Sequence, residues 1–281
     1  MSADYPIAEA CEAIGVSRSG FYAWRRRQRQ PGRREQADQA LGEQIAAIFA
    51  ANRRVYGRPR IQRELRAVDQ RHGDNRVARL MRLRGLNARP RRGFRPRTTD
   101  SRHDGPIAPN RLALVQPSAL NQAWVTDITY IATDEGWLYC AAVLDRFSRR
   151  CIGWAFADTL HSDLCLRALA MAREARRSPT AVLHHSDRGC QYASEAYVRQ
   201  LDHHGFVRSM SRQGNCYDNA VMESFWSTLK IECLYRHHFA SKADARTAAF
   251  DYIESFYNPR RRHSALGYLS PVAFEQLTTL N

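Results

Sequence analysis

Three acids stand where carboxylates could act together. Asp127 interrupts the apolar-rich run WVTDITYI, Asp187 follows AVLHHS, and Glu223 lies in AVMESFWSTLK. A lone carboxylate in an apolar strand costs free energy unless it is paired or binds a cation. Converging carboxylates suit Mg²⁺, which prefers oxygen ligands and keeps several waters. Two such ions about 3.5–4 Å apart meet the needs of phosphodiester cleavage without a covalent enzyme intermediate: an activated water or hydroxyl, in-line geometry, and charge stabilisation on both oxygens. The expectation is a catalytic, metal-holding triad of Asp127, Asp187 and Glu223 with two Mg²⁺ per site, Mn²⁺ substituting. Spacing by itself proves little. Thirty-five residues lie between Asp187 and Glu223, but Asp218 and Glu254 share that interval. Context separates the pairs, because Asp187 follows a strand and Asp218 sits in the Gly- and Asn-rich phrase RQGNCYDNA.

The elements that must position these acids are legible from about Trp124 onward. VTDITYIA, LYCAAVLD and CIGWAFA read as three short strands of an antiparallel meander. A helix follows over about 162–177, AVLHHSD reads as a buried strand ending in an acid, and 194–204 reads as another helix. FVRSMS is a fifth strand. A helix over 217–235 turns Met222, Phe225, Trp226 and Leu229 toward a core, with Asn215 and Asn219 shaping its entry and capping it. This is the layered α/β pattern of a ribonuclease-H-like domain. Lys230 lies two helical turns beyond Glu223, on the same face.

The N-terminal part is different in texture and charge. Residues 1–110 hold 24 Arg, no Lys and 11 acids, whereas 111–281 hold 19 basic and 17 acidic residues. A basic region attached to a nearly neutral body is the electrostatic footprint of a polyanion binder, and double-stranded DNA is the expected partner. Residues 6–28 read as two short helices around Gly15, with Ser17 an N-cap and Arg25, Arg26 and Arg27 ending the second. A helix over 35–51 follows, then YGRPRIQRELR with Arg58, Arg60, Arg63 and Arg66, then RVARLMRLRGL capped by Asn75 and closed at Gly85. The expected organisation is a helix-turn-helix-like segment over 1–30, a second over 31–86, a basic linker over 87–118, and the catalytic core with a basic C-terminal extension over 119–281. Candidate DNA contacts are Arg58, Arg60, Arg63, Arg188 and the cluster Arg260, Arg261, Arg262. Gln191 and Tyr192 are further candidates to grip phosphate or support the metal site.

The seven cysteines form no CxxC pair, which argues against zinc ribbons and for buried, reduced thiols. His184 and His185 point to opposite faces of a strand, so at most one could serve a site, and His185 is the candidate for a supporting role. Trp154 and Trp226 read as core. There is no apolar run of bilayer length and no signal peptide, so the expected location is the cytoplasm.

Five phrases in order carry a resemblance: WVTDITYI, VLDRFSRRCIGW, HSDRGCQYAS, SRQGNCYDNAVMESFWSTLKIE and YNPRRRHSALGYLSP. Together they resemble an insertion-sequence transposase of the retroviral-integrase superfamily, and more closely the second-frame product of the bacterial group encoded in two overlapping frames. The match covers about 120–275, and YGRPRIQREL with RVARLMRLRGL resembles the helix-turn-helix segment before that group's core. The resemblance implies a mixed five-stranded integrase core preceded by all-α segments. It implies that Asp127, Asp187 and Glu223 are the metal-binding acids and that Lys230 touches DNA near the cut. It also implies nicking of one strand at an element end and attack of the freed 3′-hydroxyl on a second phosphodiester. A homo-oligomer on DNA and the upstream-frame product, separate or fused, are the implied partners. Three rival readings remain. A tyrosine recombinase would form a phosphotyrosine adduct, a helix-turn-helix regulator with a ligand-binding body would make no demand on the three acids, and an inactive relic is the third.

Overall fold

A computed structural model describes residues 6–29, 32–88, 106–212 and 219–280. The chain divides into two compact units, residues 1–88 and 89–281. In the first, α1 (Ile7–Ala13) and α2 (Arg18–Arg29) flank Gly15, which takes φ +67°, and the Ser17 hydroxyl accepts the Gly20 N–H at 3.1 Å. The helices α3 (Arg33–Ala51), α4 (Arg58–Ala67) and α5 (Asp74–Leu83) bury Leu41, Ile45, Phe49, Ile61, Leu65, Val77, Leu80 and Met81 between them. Asp38 on α3 ties α5 by accepting from Arg76 at 2.7 Å and from Arg79, and these two guanidinium bonds hold its carboxyl below the usual carboxylate range. Asn75 does not cap α5. The cap position falls on Gly73, and Asn75 lies inside the helix.

The second unit is built on five strands: β1 (Ala123–Thr133), β2 (Gly136–Asp145), β3 (Cys151–Ala157), β4 (Leu183–Ser186) and β5 (Val207–Met210). Their order is β3-β2-β1-β4-β5. The first three pair antiparallel, while β4 lies parallel to both β1 and β5. The mixed sheet follows from the connections: tight turns join the meander, and helical crossovers α6 (Ser162–Ala175) and α8 (Glu195–His203) return the chain for each parallel strand. Alternation sends Trp124, Val143 and Ala141 to one face, where they pack with α6 and α8 residues such as Leu164, Ala168, Leu169, Tyr197 and Leu201. Gly153 permits that approach. A Cβ there would fall 2.2 Å from the Ala168 carbonyl oxygen and 2.7 Å from the Ala172 nitrogen of α6.

The short helix α7 (Cys190–Ala193) follows β4. Helices α9 (Ala220–Glu232) and α10 (Lys242–Asp251), the latter continued by a π-helical turn Tyr252–Tyr257, bury Phe225, Trp226, Leu229, Tyr252, Ile253 and Phe256. The final helix α11 (Pro271–Thr279) is pinned by one buried acid: Glu275 accepts from Ser148 Oγ at 2.6 Å, from Arg150 at 2.7 Å and from Arg176. Residues 106–118 also contact the core, through the backbone N–H groups of Arg111 and Leu112, which donate to Ser209 Oγ at 2.9 and 3.2 Å. The rest of the basic stretch 87–118 is described only at 87 and 88, and 89–105 lies outside the described residues.

Candidate active site

The parallel register sets the site. Leu183, His184 and His185 of β4 stand opposite Ala123, Trp124 and Val125 of β1. Extending that register by two residues brings Asp187 level with Asp127, just where β4 leaves the sheet. Both side chains are half-buried. Burial, and then the Asp187 charge, pushes the Asp127 carboxyl up to about 8, against the opposing pull of the Ile128 N–H, the Trp226 indole and Lys230. Asp127 Oδ1 accepts its neighbour Ile128 N–H at 2.8 Å, and Oδ2 accepts Trp226 Nε1 at 3.1 Å. Asp187 Oδ1 accepts the Gly189 N–H at 2.9 Å, closing the turn after the strand.

Glu223 does not join the pair. It is exposed, in the first turn of α9, one turn before Trp226. Among the described residues no three His, Cys, Asp or Glu side chains are gathered closely enough to hold a metal ion. The structure thus unites two of the three expected acids and sets the third on the helix that touches one of them. Residues 213–218, including Asn215 and Asp218, lie outside the described residues. Asn219 occupies the N-cap position of α9 without capping it. Its amide instead donates to the Thr126 carbonyl at 3.2 Å and fastens the start of α9 to β1. Lys230 is half-buried, with Nζ 5.5 Å from the Tyr130 ring centroid; burial lowers its pKa while Asp127 opposes that shift.

His185 supports the Asp187 end of β4. Its Nδ1 lies 2.9 Å from Ser209 Oγ and its Nε2 lies 3.0 Å from Ser211 Oγ. Ser209 Oγ already accepts two backbone N–H groups, so its one proton points to Nδ1. The ring therefore carries its proton on Nε2 and donates to Ser211. His184 faces the other way, against Tyr197 at 3.1 Å, and burial lowers its pKa to about 3. Not every buried acid belongs to the site. Asp145 is fully buried, yet its oxygens accept the N–H groups of Asn121, Phe147 and Ser148, so it builds the turn after β2.

The burial of Asp127, with Asp187 beside it, has a measurable consequence. Its folded pKa of about 8 lies above the ordinary 3.8, so the folded state holds the proton more tightly. Stability is then greatest below about pH 4 on this account and is lost as pH rises to about 8. In metal-free solution, Asp127→Asn should melt higher than the parent at pH 8, with a smaller pH dependence between those limits. Each kcal/mol moves the midpoint roughly 2–4 °C in a unit of this size. Parallel melting curves for the two proteins would contradict a buried Asp127 carboxyl with a raised pKa.

Integrase core domain models match residues 117–216 and 204–271, and an HTH-like domain model matches 36–94. Transposase InsF for insertion sequence IS3A of Escherichia coli is 42% identical over 274 residues, covering 97% of this chain and 95% of that one. The chain belongs to the IS3 family of insertion-sequence transposases. A 31 kDa protein of insertion element IS600 from Shigella sonnei is 43% identical over 267 residues, 95% of this chain and 97% of its own. The HTLV-2 integrase catalytic core aligns with a TM-score of 0.43 and 14% identity over 53% of this chain and 92% of that one. This IS3-family chain is a transposase of the DDE class, with an integrase core and an HTH-like DNA-binding domain. Among the described residues no helix is long and apolar enough to cross a membrane.

The arginines of this transposase divide. Arg58 and Arg63 are exposed on α4, Arg58 with Asp74 at 3.4 Å, while Arg60 is half-buried, 5.5 Å from the Tyr56 ring centroid. Arg188 donates to the Ser211 carbonyl at 2.9 Å and so shapes the turn beside Asp187. Arg260 is exposed and Arg262 half-buried. Arg261 departs from expectation. It is 5% exposed and donates to both Glu232 oxygens, at 2.7 and 2.6 Å, because the turn after Tyr257 folds it inward onto the end of α9. Tyr192 is also buried, its hydroxyl 3.2 Å from Thr126 Oγ1, and cannot grip phosphate. Gln191 donates to the Leu160 carbonyl at 3.2 Å. Cys190 is exposed, unlike the other cysteines described. Sequence reasoning read Trp226 as core alone, and missed its bond to Asp127. The signal was the Glu-x-x-Trp spacing, which puts both on one helix face.

Proposed function

We propose that this transposase cuts one DNA strand at each end of a mobile element and joins the freed 3′-hydroxyl to a second phosphodiester, using Asp127, Asp187 and Glu223 with two Mg²⁺ ions. The carrying observation is the Asp127–Asp187 pair: two half-buried carboxylates, one on β1 and one just past the parallel strand β4, so placed that burial and the Asp187 charge push the Asp127 carboxyl up. Such a pair is unfavourable without a cation, and its hard oxygen donors suit Mg²⁺ or Mn²⁺. Bound there, the ions would supply an activated attacking oxygen and neutralise charge on the leaving one. The chain does the positioning. The Ile128 N–H and the Trp226 indole orient Asp127, the Gly189 N–H orients Asp187, and Asn219 holds α9 to β1. Glu223 completes the triad from the first turn of that helix. Lys230 faces the DNA strand beside the cut, and Arg58, Arg63, Arg260 and Arg262 meet other phosphates.

The enzyme would work as a homo-oligomer that brings two element ends together on the nucleoid in the cytoplasm. The upstream-frame product, separate or fused, would contribute recognition of the terminal repeats. The test is strand transfer with oligonucleotides ending in the element sequence. The expected product forms only with Mg²⁺ or Mn²⁺ and carries no protein after denaturation. A covalent protein–DNA adduct would overturn the mechanism in favour of a tyrosine recombinase. DNA affinity should also fall steeply with salt, as phosphate contacts release counterions.

A further inference from the structure

The hairpin joining β1 and β2 leaves aromatic rings in water at the far end of the strand that carries Asp127, on the opposite face of the sheet. The register sets Tyr130 opposite Tyr139 and Ala132 opposite Trp137, so alternation puts Tyr130, Trp137 and Tyr139 on one face. Tyr130 and Trp137 meet edge to face, with centroids 5.0 Å apart. Trp137 and Tyr235 are each 52% exposed. Tyr235 sits in the 3₁₀ turn Leu234–Arg236 that follows α9, and its phenol is near enough to Tyr130 to raise that residue's pKa, after burial itself. Single exposed aromatics are ordinary, but a cluster joined to a cation marks a binding surface.

Lys230 is the joint. Its ammonium lies against the Tyr130 ring and also feels the Asp127 charge. β4 pairs only with residues 123–125 of β1, and Lys230 stands close to both Tyr130 and Asp127, which alternation puts on opposite faces of that strand. The combination of flat rings, a cation and adjoining carboxylates suits a nucleotide, whose base stacks while its phosphate meets the ammonium.

We propose that Trp137, Tyr130 and Tyr235 form a stacking platform for unpaired bases of the DNA strand next to the scissile phosphodiester. This rests on the strand-cleavage reading above. Three residues of strand separate Asp127 from Tyr130, about 10 Å, which is the length of about three nucleotides at ~3.4 Å each. The bases must leave the duplex to offer their faces, so the platform holds an opened element end and keeps the cut strand in place.

The experiment uses the full chain in chelator, so that nothing is cut, with 2-aminopurine placed singly at positions flanking the cleavage site. Quenching of that base by the parent protein is expected within about three nucleotides of the cut. Trp137→Ala should lose the quenching and bind a forked end about tenfold more weakly, with little change for a fully paired end. Trp137→Phe should restore both. Tyr235→Ala, at another exposed position, should weaken forked-end binding in the same sense. Equal quenching and an equal forked-to-paired ratio in Trp137→Ala would overturn the platform. So would a change in sedimentation alone, which would make the patch a protein contact. Parent protein that transfers strands with Mg²⁺ but quenches no flanking base would refute the platform and leave the catalytic reading standing. Parent protein that quenches but cuts nothing would do the reverse.

Discussion

Asp187→Asn should abolish cleavage of an element end while DNA binding persists. The amide keeps the side chain's size, and its oxygen can still accept the Gly189 N–H, so the turn after β4 should stay closed. What disappears is the Asp187 charge beside Asp127 and, on the proposed mechanism, a carboxylate that would hold a divalent cation. Metal assistance contributes several kcal/mol to phosphoryl transfer, and each 1.36 kcal/mol is tenfold in rate, so a loss of about 10³-fold or more is expected. DNA affinity, measured by gel shift or anisotropy, should hold or rise slightly, because an acid facing phosphate has been removed. Without metal the variant should melt no lower than the parent. Cleavage within tenfold of the parent would remove Asp187 from the mechanism, and parallel loss of DNA binding would make it a fold residue. Glu223→Gln sharpens the same test. Because Glu223 is exposed, its replacement should leave melting unchanged. Lost cleavage with intact melting would identify it as the third acid, and retained cleavage would exclude it.

Arg261→Ala should act on stability, not on DNA. The Arg261 and Glu232 side chains are 6% and 10% exposed, and the carboxylate also accepts from Tyr252 Oη at 2.7 Å. Removing one partner strands a charge in a poorly solvated place, which costs roughly 3–5 kcal/mol. At 2–4 °C per kcal/mol, the melting midpoint should fall on the order of 10 °C. Glu232→Ala should do the same, and replacing both residues with apolar side chains should recover most of the loss. At a temperature where the variant is still folded, its DNA affinity should equal the parent's. Arg260→Ala, the preceding residue but an exposed one, should instead weaken DNA binding and reduce the salt slope by about one. An Arg261→Ala protein that melts normally and loses DNA affinity would restore it to the DNA-facing cluster. The pair closes the last turn of α9, so it also steadies the helix that carries Glu223, Trp226 and Lys230.

Much of this molecule is legible in its residues because local patterns and global fold agree. Period-two apolar runs gave β1, β2 and β3, the breakers between them gave the turns, and an acid just past AVLHHS pointed to the end of β4. The Ser17 cap and the apolar spacing of α3, α4 and α5 were likewise local facts. The departures all concern relations between distant segments. Only the β1–β4 register puts Asp127 level with Asp187. Only packing turns Arg261 inward among three outwardly similar arginines, and sends the Asn219 amide to Thr126 instead of to its own helix. Trp226 reads as core from its spacing, and becomes an Asp127 donor only when α9 lies on β1. A chain's own neighbours decide which elements form, through periodicity and caps that act over a few residues. Which face a charge meets depends on surfaces contributed by other elements, and that is settled only when they are packed together.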